Sequence, residues 1–201
     1  MKFYLLTDPM KPGEFAQFAH VGTWSKGSLC ESCGNGTEEL VEPLQIEWDE
    51  GTERIGSFSW CSYTCVVTND VRRFLAERRV ECRFGRVEFV APEKKKTRQP
   101  RVPFPYTGPH LQWLIPTRRV ALNEAASGVT LVSDCPRCGT KRYTFKRDGL
   151  VIDAGKVGTA SLFIIDQFGK SDATFVTEPL LAEMRSQGFT NLAPRLAGEI
   201  K

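Results

Sequence analysis

Two short stretches hold the residues most able to do chemistry, Cys30-Glu31-Ser32-Cys33-Gly34 and Cys135-Pro136-Arg137-Cys138-Gly139. Each is a CxxCG knuckle. Two residues between the thiolates make a turn that points both sulfurs inward, so one knuckle supplies half of a tetrahedral site. Together the knuckles supply the four-thiolate set that zinc takes in closed structural sites. The glycine after each second cysteine offers a positive φ without a Cβ penalty, which lets the turn close with its N–H groups toward the sulfurs. Pro136 fixes φ at the start of the second turn. Cys30, Cys33, Cys135 and Cys138 are the candidate metal ligands, and structural zinc is the expected ion. Four thiolates leave no position for a reactive water, so hydrolytic zinc chemistry is not expected.

The spacing leaves alternatives open. A compact zinc ribbon separates its knuckles by roughly 15–20 residues, whereas residues 35–134 lie between these two. Either a long insertion splits one site, or each knuckle acts alone. One disulfide per CxxC is the main rival, and disulfides are rare in reducing compartments. A thioredoxin-like redox pair is weaker still, because no βαβ pattern surrounds either copy.

Other reactive residues carry weaker signals. Cys61 and Cys65 are four apart, which places them on one face of a strand or a helix. With Cys82 they could form a second metal or reactive cluster. Without a nearby histidine, such thiols are more often small buried hydrophobes. The only histidines, His20 and His110, sit in no catalytic pattern, and there is no GxSxG, P-loop or GxGxxG. Glu38-Glu39 and Asp49-Glu50 read as solvated loop acids. No catalytic residue is assigned, and no enzyme is expected.

The chain of 201 residues is 41% hydrophobic and 25% charged, enough apolar material for a core without a metal. No run approaches the roughly 18–20 apolar residues of a membrane span. The apolar start, Phe3 to Leu6, is too short for a signal-peptide core and reads as a first strand, so a cytoplasmic protein is expected. Seven cysteines, an odd number, suit a reducing compartment. The net charge of +3 is mild. Its one concentrated run, 94–98, lies between prolines and reads as a solvated loop before it reads as a nucleic-acid contact.

The elements that must position the knuckles follow from periodicity. Strands are expected at 1–8, 44–48, 55–68, 87–90, 129–132, 150–152, 161–165 and 175–177. A helix or extended piece is expected near 120–126. Residues 140–145 alternate like the outgoing strand of a zinc ribbon. Helices are expected over 69–79, N-capped by Thr68, and over 178–187, N-capped by Thr177 with Pro179 in its first turn and Gly188 at C′. The fold class is α+β, with mixed and antiparallel sheets, few helices and a split four-cysteine zinc ribbon. The chain reads as one domain, 1–201, whose pseudo-halves 1–92 and 102–201 are joined by a basic, proline-rich linker at 91–103. Val67-Thr68 and Val176-Thr177 are 109 residues apart, and at that offset Val71 meets Leu180 and Leu75 meets Met184. Two readings follow: an internal duplication whose knuckles meet at one shared zinc, or chance similarity, since strand–cap–helix units recur widely.

With these residues in view, the chain resembles the double-CXXCG motif family, bacterial paralogues best represented in myxobacteria. The likeness spans both knuckles, Ile55-Gly56-Ser57-Phe58-Ser59-Trp60 before Val66-Val67-Thr68, and the ending from Asp166-Gln167-Phe168 through Phe175-Val176-Thr177-Glu178 to Gly188-Phe189-Thr190-Asn191. Members of that family are read as immunity proteins of swarming-inhibition toxin–immunity pairs. The resemblance implies a cytoplasmic protein that binds one cognate toxin and blocks it by occlusion, with metal at Cys30, Cys33, Cys135 and Cys138. Cys61, Cys65 and Cys82 have no place in the family pattern. Trp113, Tyr106 and Phe104 are candidate contact aromatics, with burial the commoner fate of each, and a positive net charge argues against mimicry of nucleic acid. The alternatives are a nucleic-acid-binding zinc ribbon using 94–98 and Arg118-Arg119, and a CxxC thiol redox protein.

Overall fold

A computed structural model describes residues 1–7, 14–21, 25, 27–36, 39–61, 64–91, 102–144, 146–169 and 173–201. In chain order they form β1 (Lys2–Thr7), β2 (Gln17–His20), β3 (Leu44–Glu50), β4 (Phe58–Cys61), β5 (Thr64–Thr68), α1 (Asn69–Glu77), β6 (Cys82–Phe89), β7 (Leu111–Pro116), β8 (Arg119–Val120), α2 (Glu124–Ser127), β9 (Leu131–Asp134), β10 (Lys141–Tyr143), β11 (Leu150–Ile152), α3 (Ala154–Val157), β12 (Leu162–Ile165), a 3-10 turn (Asp166–Phe168), β13 (Phe175–Thr177), α4 (Glu178–Ser186) and β14 (Ala193–Ile200). The class is α+β. The basic run 94–98, Trp24, Glu38 and Phe145 lie outside the described residues.

The strands form two six-stranded sheets, β2-β3-β6-β7-β5-β4 and β11-β14-β1-β13-β12-β8, and a two-stranded ribbon of β9 and β10. Without the terminal strands β2 and β8, the two sheets have one order. In each, a parallel pair comes first (β3–β6, β11–β14), followed by three antiparallel pairs. The registers agree as well: Leu111 faces Thr68 where Phe3 faces Thr177, and Phe58 faces Val67 where Leu162 faces Val176. Each strand–helix junction repeats one backbone bond, Thr68 N–H to Ser57 O at 3.1 Å and Thr177 N–H to Ser161 O at 3.0 Å.

The interior strand of each unit comes from the other end of the linker. β1 lies in the sheet of the C-terminal elements, and β7 lies in the sheet of the N-terminal ones. A cut between 92 and 102 therefore divides the chain but not the fold. The exchange fits the sequence. Phe3, Leu5 and Leu6 are buried in β1, as are Leu111, Trp113 and Leu114 in β7. This is the near-continuous pattern of a strand covered on both faces rather than one facing water.

Three cores result. The central one joins both units, packing Val71, Phe74 and Leu75 of α1 and Leu180, Leu181 and Met184 of α4 with Leu6, Phe58, Trp60, Val67, Leu114, Leu162 and Val176. At roughly 1.5–3 kcal/mol per buried large side chain, this shared core couples the two units strongly. The outer cores correspond to one another, Leu44, Ile46, Val66 and Trp113 on one side and Leu150, Ile152, Phe175 and Leu5 on the other.

Several expectations need correction. Residues 55–68 form a hairpin, β4 and β5, instead of one extended run. The stretch near 120–126 divides into β8 and α2. Thr68 and Thr177 occupy the N-cap positions with extended backbones, but neither hydroxyl makes a cap hydrogen bond. The hairpin also overturns the shared face of Cys61 and Cys65. The chain reverses between them, so Cys61 packs in an outer core and Cys65 in the central one.

Candidate metal centre

Each knuckle is a closed turn. Cys30 N–H donates to Asn35 O at 2.9 Å and Gly34 N–H to Cys30 O at 2.7 Å; Cys135 N–H donates to Thr140 O at 3.0 Å and Gly139 N–H to Cys135 O at 2.8 Å. Gly34 (φ 66°) and Gly139 (φ 70°) take the left-handed conformation their position requires. The first knuckle is held by a bridge between Leu29 and Gly36, and the second by β9 and β10.

The tertiary fold brings the two turns face to face. Cys30 Sγ lies 3.8 Å from Cys135 Sγ, and Cys33 Sγ lies 3.6 Å from Cys138 Sγ. All four sulfurs lie within 4.8 Å of one another. Tetrahedral zinc with Zn–S bonds of about 2.3 Å separates its sulfurs by about 3.8 Å, so the set is compatible with a structural metal ion. The seven cysteines are all free thiols. The close sulfur contacts run between knuckles, which is not the pairing of one disulfide per CxxC. Among the described residues no other cluster of metal-ligating side chains is of this kind.

Electrostatics favour a cation. The Thr140 hydroxyl and backbone N–H hold the Cys138 thiol low, at about 6, and the backbone N–H groups of Cys138 and Arg137 lower Cys135. At Cys33 the N–H of Asn35 favours the thiolate, but desolvation and the three neighbouring sulfurs push the thiol up to about 12. The set therefore cannot ionise fully through repulsion, and a divalent cation removes that obstacle. Cys61 and Cys65, by contrast, are pushed up by burial, which makes them inert core thiols, and burial raises Cys82 to about 11.

The outer contacts also cross between knuckles. Asn35 Nδ2 donates to Thr140 Oγ1 at 3.1 Å, Arg142 donates to Cys33 O at 3.3 Å, and Arg137 pairs with Glu31. Sequence reading missed Asn35, Thr140 and Arg142. The signal available for two of them was position, since Asn35 and Thr140 are the residues just past each CxxCG. Beside the centre, between the ribbon and the 3-10 turn, is a cleft of about 920 Å³ lined in part by Arg119, Lys141, Arg142, Tyr143 and Phe168.

The other candidates lie elsewhere. His20 is on β2 and His110 is exposed. Trp113 is buried and Tyr106 stacks on Phe89 with ring centroids 3.6 Å apart, so of the three aromatics only Phe104 is exposed. Among the described residues no helix is long and apolar enough to cross a membrane. No family model matches the chain, and no curated protein matches it.

Proposed function

We propose that this chain is a non-enzymatic binding protein, an immunity protein that occludes one cognate toxin, with a single zinc ion joining its two units. The observation that carries the reading is the four-sulfur cluster assembled from knuckles 105 residues apart. Such a closed sulfur set makes a staple and offers no open coordination position for chemistry. A preformed rigid surface is what an inhibitor needs, because less ordering entropy is lost on binding. The resemblance of the two knuckles and the ending to the double-CXXCG family supplies the partner class.

The test is co-expression with the toxin domain encoded beside this chain. The expected result is restored growth and a one-to-one complex on purification. Continued toxicity together with no complex would sink the reading.

A further inference from the structure

The metal-bearing ribbon has a free edge. β9 pairs with β10 on one side, and among the described residues no strand pairs with its other side. All four residues of β9 are exposed. Leu131 and Val132 expose 46% and 65% of their surface, and Leu29, beside Cys30, exposes 70%. Three of the seven exposed large hydrophobics of the described chain thus lie within four residues of a knuckle cysteine. An apolar, unpaired strand edge is a template for another strand and is normally blunted or used.

Charge selects the kind of strand. Segment 118–148 holds seven lysines and arginines against three acidic residues, more positive charge than the +3 of the whole chain. In the ribbon register Lys141 faces Asp134 and Arg142 faces Ser133. The register shifts at the next pair, where Leu131 faces Tyr143 and Val132 is the extra residue of a bulge, so Leu131 lies on the Lys141 face. Lys141 is weakly neutralised, with Asp134 3.9 Å away at the surface, and Arg142 donates to an uncharged carbonyl. A second copy of so basic a ribbon would be repelled. The aliphatic groups suit a protein better than a nucleic acid, which calls for aromatic stacking.

We infer that the outer edge of β9 is where the toxin docks, adding an extended, carboxylate-bearing segment as a third strand of the ribbon. This rests on the immunity reading and names the surface it uses. Backbone hydrogen bonds to β9 hold the segment, while Leu131 and Val132 pack against its side chains. Lys141 and Arg142 steer it by charge.

The experiment measures Kd between the zinc-loaded full chain and the toxin domain encoded beside it, with amide exchange across the complex. Leu131→Glu/Val132→Glu should weaken binding about 100-fold, as loss of a central anchor pair does. Both side chains are exposed, so thermal unfolding should not change. Leu196→Glu, an exposed apolar change on β14, should leave Kd unchanged. Lys141→Gln should lower the association rate and flatten its salt dependence, and amides 131–134 should become protected. Wild-type binding with an unaltered Kd in the double variant and protection elsewhere overturns the docking edge and leaves the immunity reading standing. No binding by the wild-type chain overturns both. A dimer of this chain that Leu131→Glu/Val132→Glu abolishes, or retention of a generic DNA 20-mer at ~50 mM salt that Lys141→Gln weakens, would assign the edge to a different occupant and overturn the inference.

Discussion

Cys30 and Cys135 stand 3.8 Å apart at Sγ, 105 residues apart in the chain, at matching points of two units that each borrow a strand from the other. Cys33 and Cys138 repeat the relation at 3.6 Å. The knuckles thus meet where the two units face one another. A metal held there closes a loop of about a hundred residues that the exchanged strands β1 and β7 already tie together.

Zinc content tests the centre directly. Protein purified without chelator should carry one zinc per chain, and Cys30→Ser and Cys135→Ser should each lose it. A structural ion stabilises by several kcal/mol, and at roughly 2–4 °C per kcal/mol for a chain of this size the midpoint should fall by about 10 °C. Loss in only one variant would mean that the knuckles act apart.

Thiol reactivity follows from the environments. In chelator-treated protein Cys138 should be alkylated first, its rate rising with pH through about 6. Cys61 and Cys65 should react only on unfolding, since burial disfavours their thiolates. Because the folded value of Cys138 lies below the ordinary 9.0, the thiolate's contribution to stability is present at high pH and is lost as pH falls through about 6. Metal retention should weaken as pH falls, because protons compete with the ion for the four thiolates. Mass mapping of the labelled cysteines against pH checks both.

The strand exchange predicts complementation. A fragment ending in the linker lacks β7, and its partner lacks β1, so each has a gap in a sheet. Fragments 1–96 and 97–201 should be unfolded alone and should refold as a one-to-one complex when mixed with zinc. Independent folding of either, by circular dichroism, would contradict the exchange.

The shared core predicts one cooperative transition. Leu75 and Met184 are buried at equivalent points of α1 and α4 in that core. Leu75→Ala and Met184→Ala should each cost about 2–5 kcal/mol, with a single denaturant transition in both. Two separate transitions would show that the units unfold independently.

One position departs from the repeat. Arg79 has φ 53° at the end of α1, where the equivalent residue after α4 is Gly188 at φ 70°. Left-handed backbone costs an L-residue roughly 1 kcal/mol that glycine avoids. Arg79→Gly should therefore stabilise the protein by about 1 kcal/mol, read from the shift of the urea midpoint.

What could be read without coordinates was local. Helices α1 and α4, the first strand and most later strands follow from period, because Val71/Phe74/Leu75 and Leu180/Leu181/Met184 each form an apolar stripe within one element. The four-cysteine set was legible too, since the spacing within each CxxCG decides the turn. Cys61 and Cys65 misled for the same local reason, as spacing alone does not show that the chain reverses between them.

The sequence by itself determined which residues could hold a metal and where α1, α4 and many of the strands form. Only the tertiary structure decided that the two knuckles meet, that β1 and β7 trade places, and that among the described residues β9 has no strand on its outer edge. The physical reason is range. Turn chemistry and periodicity act over a few residues and are written there. Pairing between strands a hundred residues apart is settled by which buried faces fit, and Phe3 faces Thr177 as Leu111 faces Thr68, each in the sheet of the other unit.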